Sequence, residues 1–388
     1  MIKDRTAIVG IGQTAFAKSL PETETELALM AITAALDDAG IEPGEVDGLV
    51  SMTLESTPEV VIGQNLGLGD VTFFGQVGYG GGAGCATVGL AALAVAEGQC
   101  DVAVAWRSRK RGSGGRPWVM AGSGAPAGGG SVPRVADWYR PWGLLRPVDQ
   151  IALLARRYFY ETGATRDHLA NVALAARSHA NRNPAAVMHD RLLTREEYFA
   201  SRWVSEPLCL FDNCLESDGA LAVVVVSAER ARDCRQPPAY VHSFGQGFGA
   251  QHMTMTNYHG EDPLLGPSHA CAKALWRHSD FTPADVPVAQ FYDAFTPLIP
   301  LSLEGYGFCA RGEGAFFTEG ENLAWPDGAL PINTSGGGLS EAYVHGFNLI
   351  TEGVRQVRGT STSQVEGAQC CLVTSGEGVP TSALLLRR

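Results

Sequence analysis

The stretch Asn333-Thr334-Ser335-Gly336-Gly337-Gly338-Leu339-Ser340-Glu341-Ala342-Tyr343-Val344-His345-Gly346 sets three glycines ahead of a helix-forming run and closes on a further glycine turn. Consecutive glycines let a backbone turn tightly and come close to a ligand or another segment. The first half of the chain has a counterpart: Gly80-Gly81-Gly82 also precedes a helical pattern, residues 83–97. A second pair of segments matches in the same order. Ala39-Gly40-Ile41-Glu42-Pro43-Gly44-Glu45-Val46 and Ser279-Asp280-Phe281-Thr282-Pro283-Ala284-Asp285-Val286 each join a helix to a strand. Two matches in one order predict a duplicated chain.

Working outward, Gly and Pro punctuate alternating strand and helix patterns, the signature of an α/β fold. Strands are expected at 6–11, 46–52, 101–106 and 221–227, with helices at 24–38, ending at Gly40, and at 83–97, ending at Gly98. The second half repeats the pattern: strands at 239–244, 288–292, 371–374 and 383–386, and helices at 268–277, 301–306 and 347–357. Residues 108–203 interrupt the repeat. They open with 112–130, rich in Gly, Ser and Pro, and continue into helical patterns at 149–160 and 166–181. An insertion of that length over one face reads as a cap. The expected organisation is a first half of 1–107 with 204–237, a cap/loop insertion of 108–203, and a second half of 238–388.

Several function classes are excluded. A net charge of -12 argues against a nucleic-acid partner, whose phosphates need a basic face. No apolar run reaches the ~20 residues of a membrane helix. The first residues, Met1-Ile2-Lys3-Asp4-Arg5, carry no signal-peptide pattern. The nine cysteines form no CxxC pair and have no histidines at metal spacing, so a reduced, metal-free cytoplasmic chain is expected. The segment Trp106-Arg107-Ser108-Arg109-Lys110-Arg111 with Arg116 is the one dense basic cluster. It reads as a solvated loop or subunit contact, with CoA phosphates as the functional alternative.

Three further stretches carry a family resemblance: Tyr79-Gly80-Gly81-Gly82-Ala83-Gly84-Cys85-Ala86-Thr87-Val88, Tyr292-Asp293-Ala294-Phe295-Thr296-Pro297 and Gly353-Val354-Arg355-Gln356-Val357-Arg358-Gly359-Thr360. With the opening segment, their order and spacing resemble the thiolase superfamily over essentially the whole length. Within it the chain resembles the lipid-transfer-protein branch and its bacterial steroid side-chain-cleaving aldolases. The resemblance implies a thiolase fold: two βαβαβ halves in a five-layered αβαβα arrangement, with a helical cap. It also implies a homodimer, and a heterocomplex with a hydratase-associated partner bearing an OB-fold and zinc ribbon.

Four positions depart from the thiolase pattern. Counting back from Gly98 puts the nucleophilic cysteine at Gly81, and a glycine forms no thioester. The second cysteine position falls on Leu372, beside Cys370 and Cys371. Tyr292 stands where an Asn or His holds a catalytic water. Tyr343 stands in place of the catalytic histidine.

Two phenols in a CoA-thioester pocket suit retro-aldol cleavage of a β-hydroxyacyl-CoA, with Tyr292 and Tyr343 sharing base and acid work. The expected products are a 17-ketosteroid and propionyl-CoA or acetyl-CoA. No covalent intermediate and no cofactor are required, CoA being part of the substrate. The resemblance implies that backbone N–H groups at Gly81 and Thr374 occupy the positions of a thiolase oxyanion hole, and one such donor is typically worth ~3–4 kcal/mol. A phenol titrates at ~10, so a tyrosinate base at neutral pH needs a downward shift, which a nearby Asp293 carboxylate would oppose. His345, Asp293, Tyr258, His259, Gly336 and Gly337 are the remaining expected pocket residues. Two other readings stay open: a thiolase or acyltransferase that uses a shifted cysteine such as Cys85 or Cys371, and a non-catalytic acyl-CoA or lipid-binding subunit.

Overall fold

The computed structural model describes residues 2–114, 140–250, 252, 255 and 261–388. Its first half comprises β1 (Thr6–Gln13), α1 (Glu24–Ala39), β2 (Gly48–Met52), α2 (Glu59–Leu66), β3 (Phe73–Val77), α3 (Gly84–Ala96) and β4 (Val102–Lys110). Three cap helices follow, α4 (Pro147–Thr162), α5 (Arg166–Ala180) and α6 (Arg195–Ala200), before β5 (Asp218–Ser227) returns to the sheet. The second half comprises β6 (Ala239–Gly247), α7 (Ser268–Arg277), β7 (Ala289–Gln290), α8 (Leu298–Tyr306), α9 (Phe347–Arg358), β8 (Cys370–Ser375) and β9 (Thr381–Arg387).

The strands lie in the order β3-β2-β4-β5-β1-β6-β9-β8-β7. In the first half β2 runs parallel to β3 and β4, β4 antiparallel to β5, and β5 antiparallel to β1. The second half repeats each step. There β7 runs parallel to β8 and to the Ile332 bridge, β8 antiparallel to β9, and β9 antiparallel to β6. Matching order and matching direction make the two halves one duplicated design. Within the sheet the halves meet where β1 pairs with β6, Ala7 with Tyr240 and Ile8 with Ala239.

The helices sort into layers by sequence. In α1 a capping box starts the helix: Thr23 accepts the Glu26 N–H and Glu26 accepts the Thr23 N–H, a device worth about 1 kcal/mol. The α1 helix covers the outer face of β1, β4 and β5, while α7 covers that of β6 and β9. By contrast α3 reads Gly-Cys-Ala-Thr-Val-Gly-Leu-Ala-Ala-Leu-Ala-Val-Ala and is buried almost all round. A helix without a polar face belongs in an interior layer. Both α3 and α9 pack against strands of both halves and against each other, giving the five layers αβαβα.

The cap is fastened to the opening segment. Arg177 Nε donates to Ser340 Oγ at 3.0 Å, Asn183 Nδ2 to Ser335 C=O at 3.0 Å, and Val187 N–H to Glu341 C=O at 2.9 Å. Three local expectations are corrected. The strand β4 runs on to Lys110, so the basic cluster enters the sheet, and Arg107 is wholly buried there. The strand expected over 288–292 is only Ala289–Gln290, and α8 begins at Leu298 rather than at 301. The elements α2, β3 and α6 have no counterpart in the sequence reading.

Candidate active site

The turn after β7 and the turn before α9 bring the two tyrosines together. Tyr292 and Tyr343 are 5% and 6% exposed, and their hydroxyls hydrogen-bond each other. Their rings lie 6.0 Å apart at 59°. Each is fixed by its backbone: Tyr292 N–H donates to Thr374 Oγ1 at 3.0 Å, and Tyr343 N–H to Ser217 Oγ at 2.9 Å. Gly81 closes the site from the first half. A Cβ there would stand 1.8 Å from Tyr292 Oη, so any side chain at this position would displace the phenol.

The glycine loop is held by Asp293. Its carboxylate accepts Gly338 N–H at 2.7 Å and Leu339 N–H at 3.2 Å, capping the short turn Gly337–Ser340. Gly337 has a φ of 60°, and a Cβ there would lie 2.2 Å from Asp293 Oδ2, so both space and conformation demand glycine. Gly336 sits against Ala180 of the cap. Asp293 and the two glycines therefore build the loop that carries Tyr343. Burial pushes the Asp293 carboxyl up to about 6.

Tyr258 and His259 lie outside the described residues. Leu372 is no part of the site: it packs with Cys370, Phe291 and Leu385 in the outer core of the second half. Cys85 and Cys371 are wholly buried. Burial pushes the Cys85 thiol up to about 12 and the Cys371 thiol well above its ordinary value, against the thiolate that nucleophilic catalysis needs.

A tyrosinate base at neutral pH would need a downward shift, and both phenols are shifted upward instead. Burial, reinforced by Tyr343, holds Tyr292 well above the ordinary phenol value. Burial also pushes Tyr343 up to about 12, and the Arg111 guanidinium, 4.7 Å above its ring, pulls the other way. Both phenols are neutral at rest.

Glu55 and Cys214 went unread as site residues in the sequence, while Arg107 and Arg111 were read only as members of the basic cluster. Arg107 Nε donates to His345 Nδ1 at 3.0 Å, and Glu55 pairs with the same guanidinium at 3.1 Å. Arg111 lies over Tyr343, and Cys214 sits close enough to weigh on both phenols. Arg107 and Arg111 are four residues apart in extended chain, and that period of two was the available signal. His345 stands edge-on to Tyr343, with ring centroids 5.4 Å apart. Burial and three surrounding arginines hold its imidazole well below the ordinary value, so it is neutral. No group of metal-binding residues occurs among the described residues, and no helix among them is long and apolar enough to cross a membrane.

Comparison with known proteins gives concordant results. A family described as "Thiolase C-terminal domain-like" matches residues 249–386. A "steroid side-chain-cleaving aldolase" of Thermomonospora curvata is 45% identical, over 98% of this chain and 97% of its own. A "17-hydroxy-3-oxo-4-pregnene-20-carboxyl-CoA lyase" of Mycobacterium tuberculosis is 43% identical over 100% of both chains. The solved "Ltp2-ChsH2(DUF35) aldolase" superposes with a TM-score of 0.94 at 44% identity, covering 100% of this chain and 98% of that one.

Proposed function

This chain belongs to the thiolase superfamily and, within it, to the steroid side-chain-cleaving aldolases, and from that premise we infer that it is a carbon–carbon lyase acting on a steroid acyl-CoA. The observation that carries the reading is the pair of buried, mutually hydrogen-bonded phenols with glycine at the nucleophile position. The substrate is a β-hydroxyacyl-CoA. Its Cα–Cβ bond breaks, the β-carbon becomes a ketone, and the electron pair passes into the thioester enolate. With a 17-hydroxy steroid carrying the 20-carboxyl thioester, the products are a 17-ketosteroid and propionyl-CoA.

The reaction moves one proton from the β-hydroxyl to the α-carbon. At neutral pH a phenol with a pKa near 12 is ionised in only ~10⁻⁵ of molecules, so a standing phenolate is a poor base. The mutual hydrogen bond offers a different route. One tyrosine takes the hydroxyl proton as it passes its own to the second, and the second delivers its proton to the enolate carbon. The pair ends as neutral as it began, and no cofactor enters the balance. Backbone N–H groups at Gly81 and Thr374 are the proposed donors to the enolate oxygen, with Gly81 in the turn leading into α3.

We further propose two partners. One is a second copy of this chain, met along β3. That strand is a sheet edge and bears Phe74 at 72% exposure. The other is a chain equivalent to the second component named in the solved aldolase complex.

The test is incubation of the protein, with and without that second component, with a 17-hydroxy steroid 20-carboxyl-CoA ester. Stoichiometric 17-ketosteroid and propionyl-CoA are expected. A trapped acyl-cysteine, or binding without turnover in the full complex, overturns the reading.

A further inference from the structure

His345 has its proton position fixed by its neighbours. Arg107 Nε donates to His345 Nδ1 at 3.0 Å. A guanidinium has only donors, so Nδ1 carries the lone pair and the imidazole proton sits on Nε2. Arg107 is itself immobilised at 0% exposure. Its Nη1 donates to Leu54 C=O at 2.8 Å and to Glu55 Oε2 at 3.1 Å. Glu55 is held in turn by Ser108 N–H at 2.8 Å and Ser108 Oγ at 2.6 Å. A loop after β2, a strand of the first half and the catalytic loop of the second thus converge on one ring nitrogen.

The ring's other nitrogen is uncommitted: among the described residues Nε2 has no hydrogen-bond partner, and His345 keeps 8% exposure beside Tyr343. His345 also has a φ of 51°, a left-handed conformation that non-glycine residues adopt at a cost. The fold holds that strain at the residue next but one to Tyr343.

We propose that His345 contacts the substrate, with the Glu55–Arg107 chain aiming its Nε2–H as a neutral donor at the enolate oxygen formed when the Cα–Cβ bond breaks. This rests on the retro-aldol reading. A neutral imidazole is the right donor here. An imidazolium beside the enolate would compete with the tyrosine pair as proton source, whereas a neutral N–H stabilises the anion and keeps its proton. The groups facing the ring enforce neutrality: Arg107 and Arg109 on β4, Arg111 just beyond it, and Tyr343 on its own loop, with Glu55 screened behind Arg107.

The test has a structural and a kinetic arm. Histidine-selective ¹⁵N NMR of the protein, with the His345 signals identified by their loss in His345→Gln, is expected to show Nε2 protonated and Nδ1 bare from pH 5.5 to 8. An Nδ1–H tautomer, or titration inside that window, overturns the proposal whether or not the protein turns over substrate. In the active complex, His345→Leu should lower kcat ~100-fold with KM changed less than ~3-fold, since one oxyanion donor typically carries that much. His345→Gln, which keeps an N–H, should recover about tenfold of the loss. A His345→Leu enzyme with normal kcat overturns the catalytic role.

The double variant Arg107→Met, Glu55→Gln removes the buried pair together, leaving no unpaired charge. It frees Nδ1 to take a proton, so a new acid limb should enter the pH–kcat profile between about 5.5 and 8. An unchanged profile removes Arg107 and Glu55 as positioning residues. Wild-type complex that never cleaves the CoA ester fails the retro-aldol reading instead, and the tautomer result stands apart from it.

Discussion

The turns ahead of the two central helices are equivalent by topology and opposite in chemistry. Before α3, residues 80–84 offer four glycines and an alanine. Before α9, residues 336–346 offer a phenol, an imidazole and buried carboxylate contacts. The first half supplies room and positive charge, through Gly81, Arg107 and Arg111. The second supplies every proton-carrying group in the relay. The two roles are linked, because the bare Gly81 is what admits the Tyr292 hydroxyl. A duplicated frame has kept both walls of a thioester pocket and moved its chemistry to one of them.

The largest effect comes from breaking the second half's pair. Tyr292→Phe and Tyr343→Phe are each expected to lower kcat about 10³-fold, within the range of lost proton transfer. The double variant should fall less than ~10-fold further, because parts of one relay do not add. Rates of ketone release measure this; additive losses would separate the two phenols into independent roles. Both phenols are pushed up, Tyr343 to about 12, so kcat should stay flat between pH 6 and 9. A standing phenolate base would instead give a tenfold rise per unit over that span.

Filling the first half's space should cost somewhat less. In Gly81→Ala the new methyl meets Tyr292 Oη at 1.8 Å, so the phenol must leave its partner. We expect a ~100-fold fall in kcat, and overpacking that lowers stability by about 1–3 kcal/mol in urea unfolding. Gly81→Cys should suffer likewise and gain no acyltransfer. A Gly81→Ala enzyme with normal kcat would detach the glycine from the tyrosines.

Much of this contrast was legible in the chain, for physical reasons. Tyr343 and Gly81 sit in glycine-marked turns, Tyr292 lies in the Tyr292–Pro297 stretch, and all three were placed by the family resemblance that these stretches carry. The duplication was legible because two pairs of segments, the glycine triplets and the helix-to-strand joints 39–46 and 279–286, recur in the same order. The edge strand β3 was not, since Phe73-Phe74-Gly75-Gln76-Val77 alternates over only five residues and holds a glycine. The arginines were misread because charge density alone predicts solvent. What buries Arg107 is Glu55, fifty-two residues away, together with His345. The resemblance put the second cysteine position at Leu372, and the strand's pleat turns that side chain into the outer core. The raised phenols were invisible because burial is a property of the assembled layers.

A third test asks how the second half's turn is tied to the cap. Glu341 Oε1 accepts Asn183 Nδ2 at 3.1 Å, and Oε2 accepts Ser335 Oγ at 2.6 Å and Asn348 Nδ2 at 2.9 Å. Burial still dominates and raises its carboxyl from 4.5 to about 7. The folded state therefore keeps a proton that the unfolded chain releases. Its contribution is full below pH ~4 and lost as pH climbs to 7, on the order of 3 kcal/mol. Glu341→Gln cannot ionise, so from pH 4.5 to 7.5 wild-type stability should fall by that amount relative to the variant. Parallel stability curves would show that the carboxyl titrates alike in both states.

The smallest expected effect bears hardest on the first half. If its turn supplies only room and charge, no thiol there takes part in the reaction. Cys85 lies in the first turn of α3, where a helix N-terminus would favour a thiolate. Yet its Sγ donates to Val373 C=O at 3.5 Å, and burial outweighs the helix, pushing the thiol up to about 12. Cys85→Ala should keep kcat within twofold, and iodoacetamide at pH 8 should leave Cys85 unlabelled in the native protein, read by mass spectrometry. Loss of activity tracking Cys85 alkylation would return a nucleophile to the first half and undo the division of labour between the two turns.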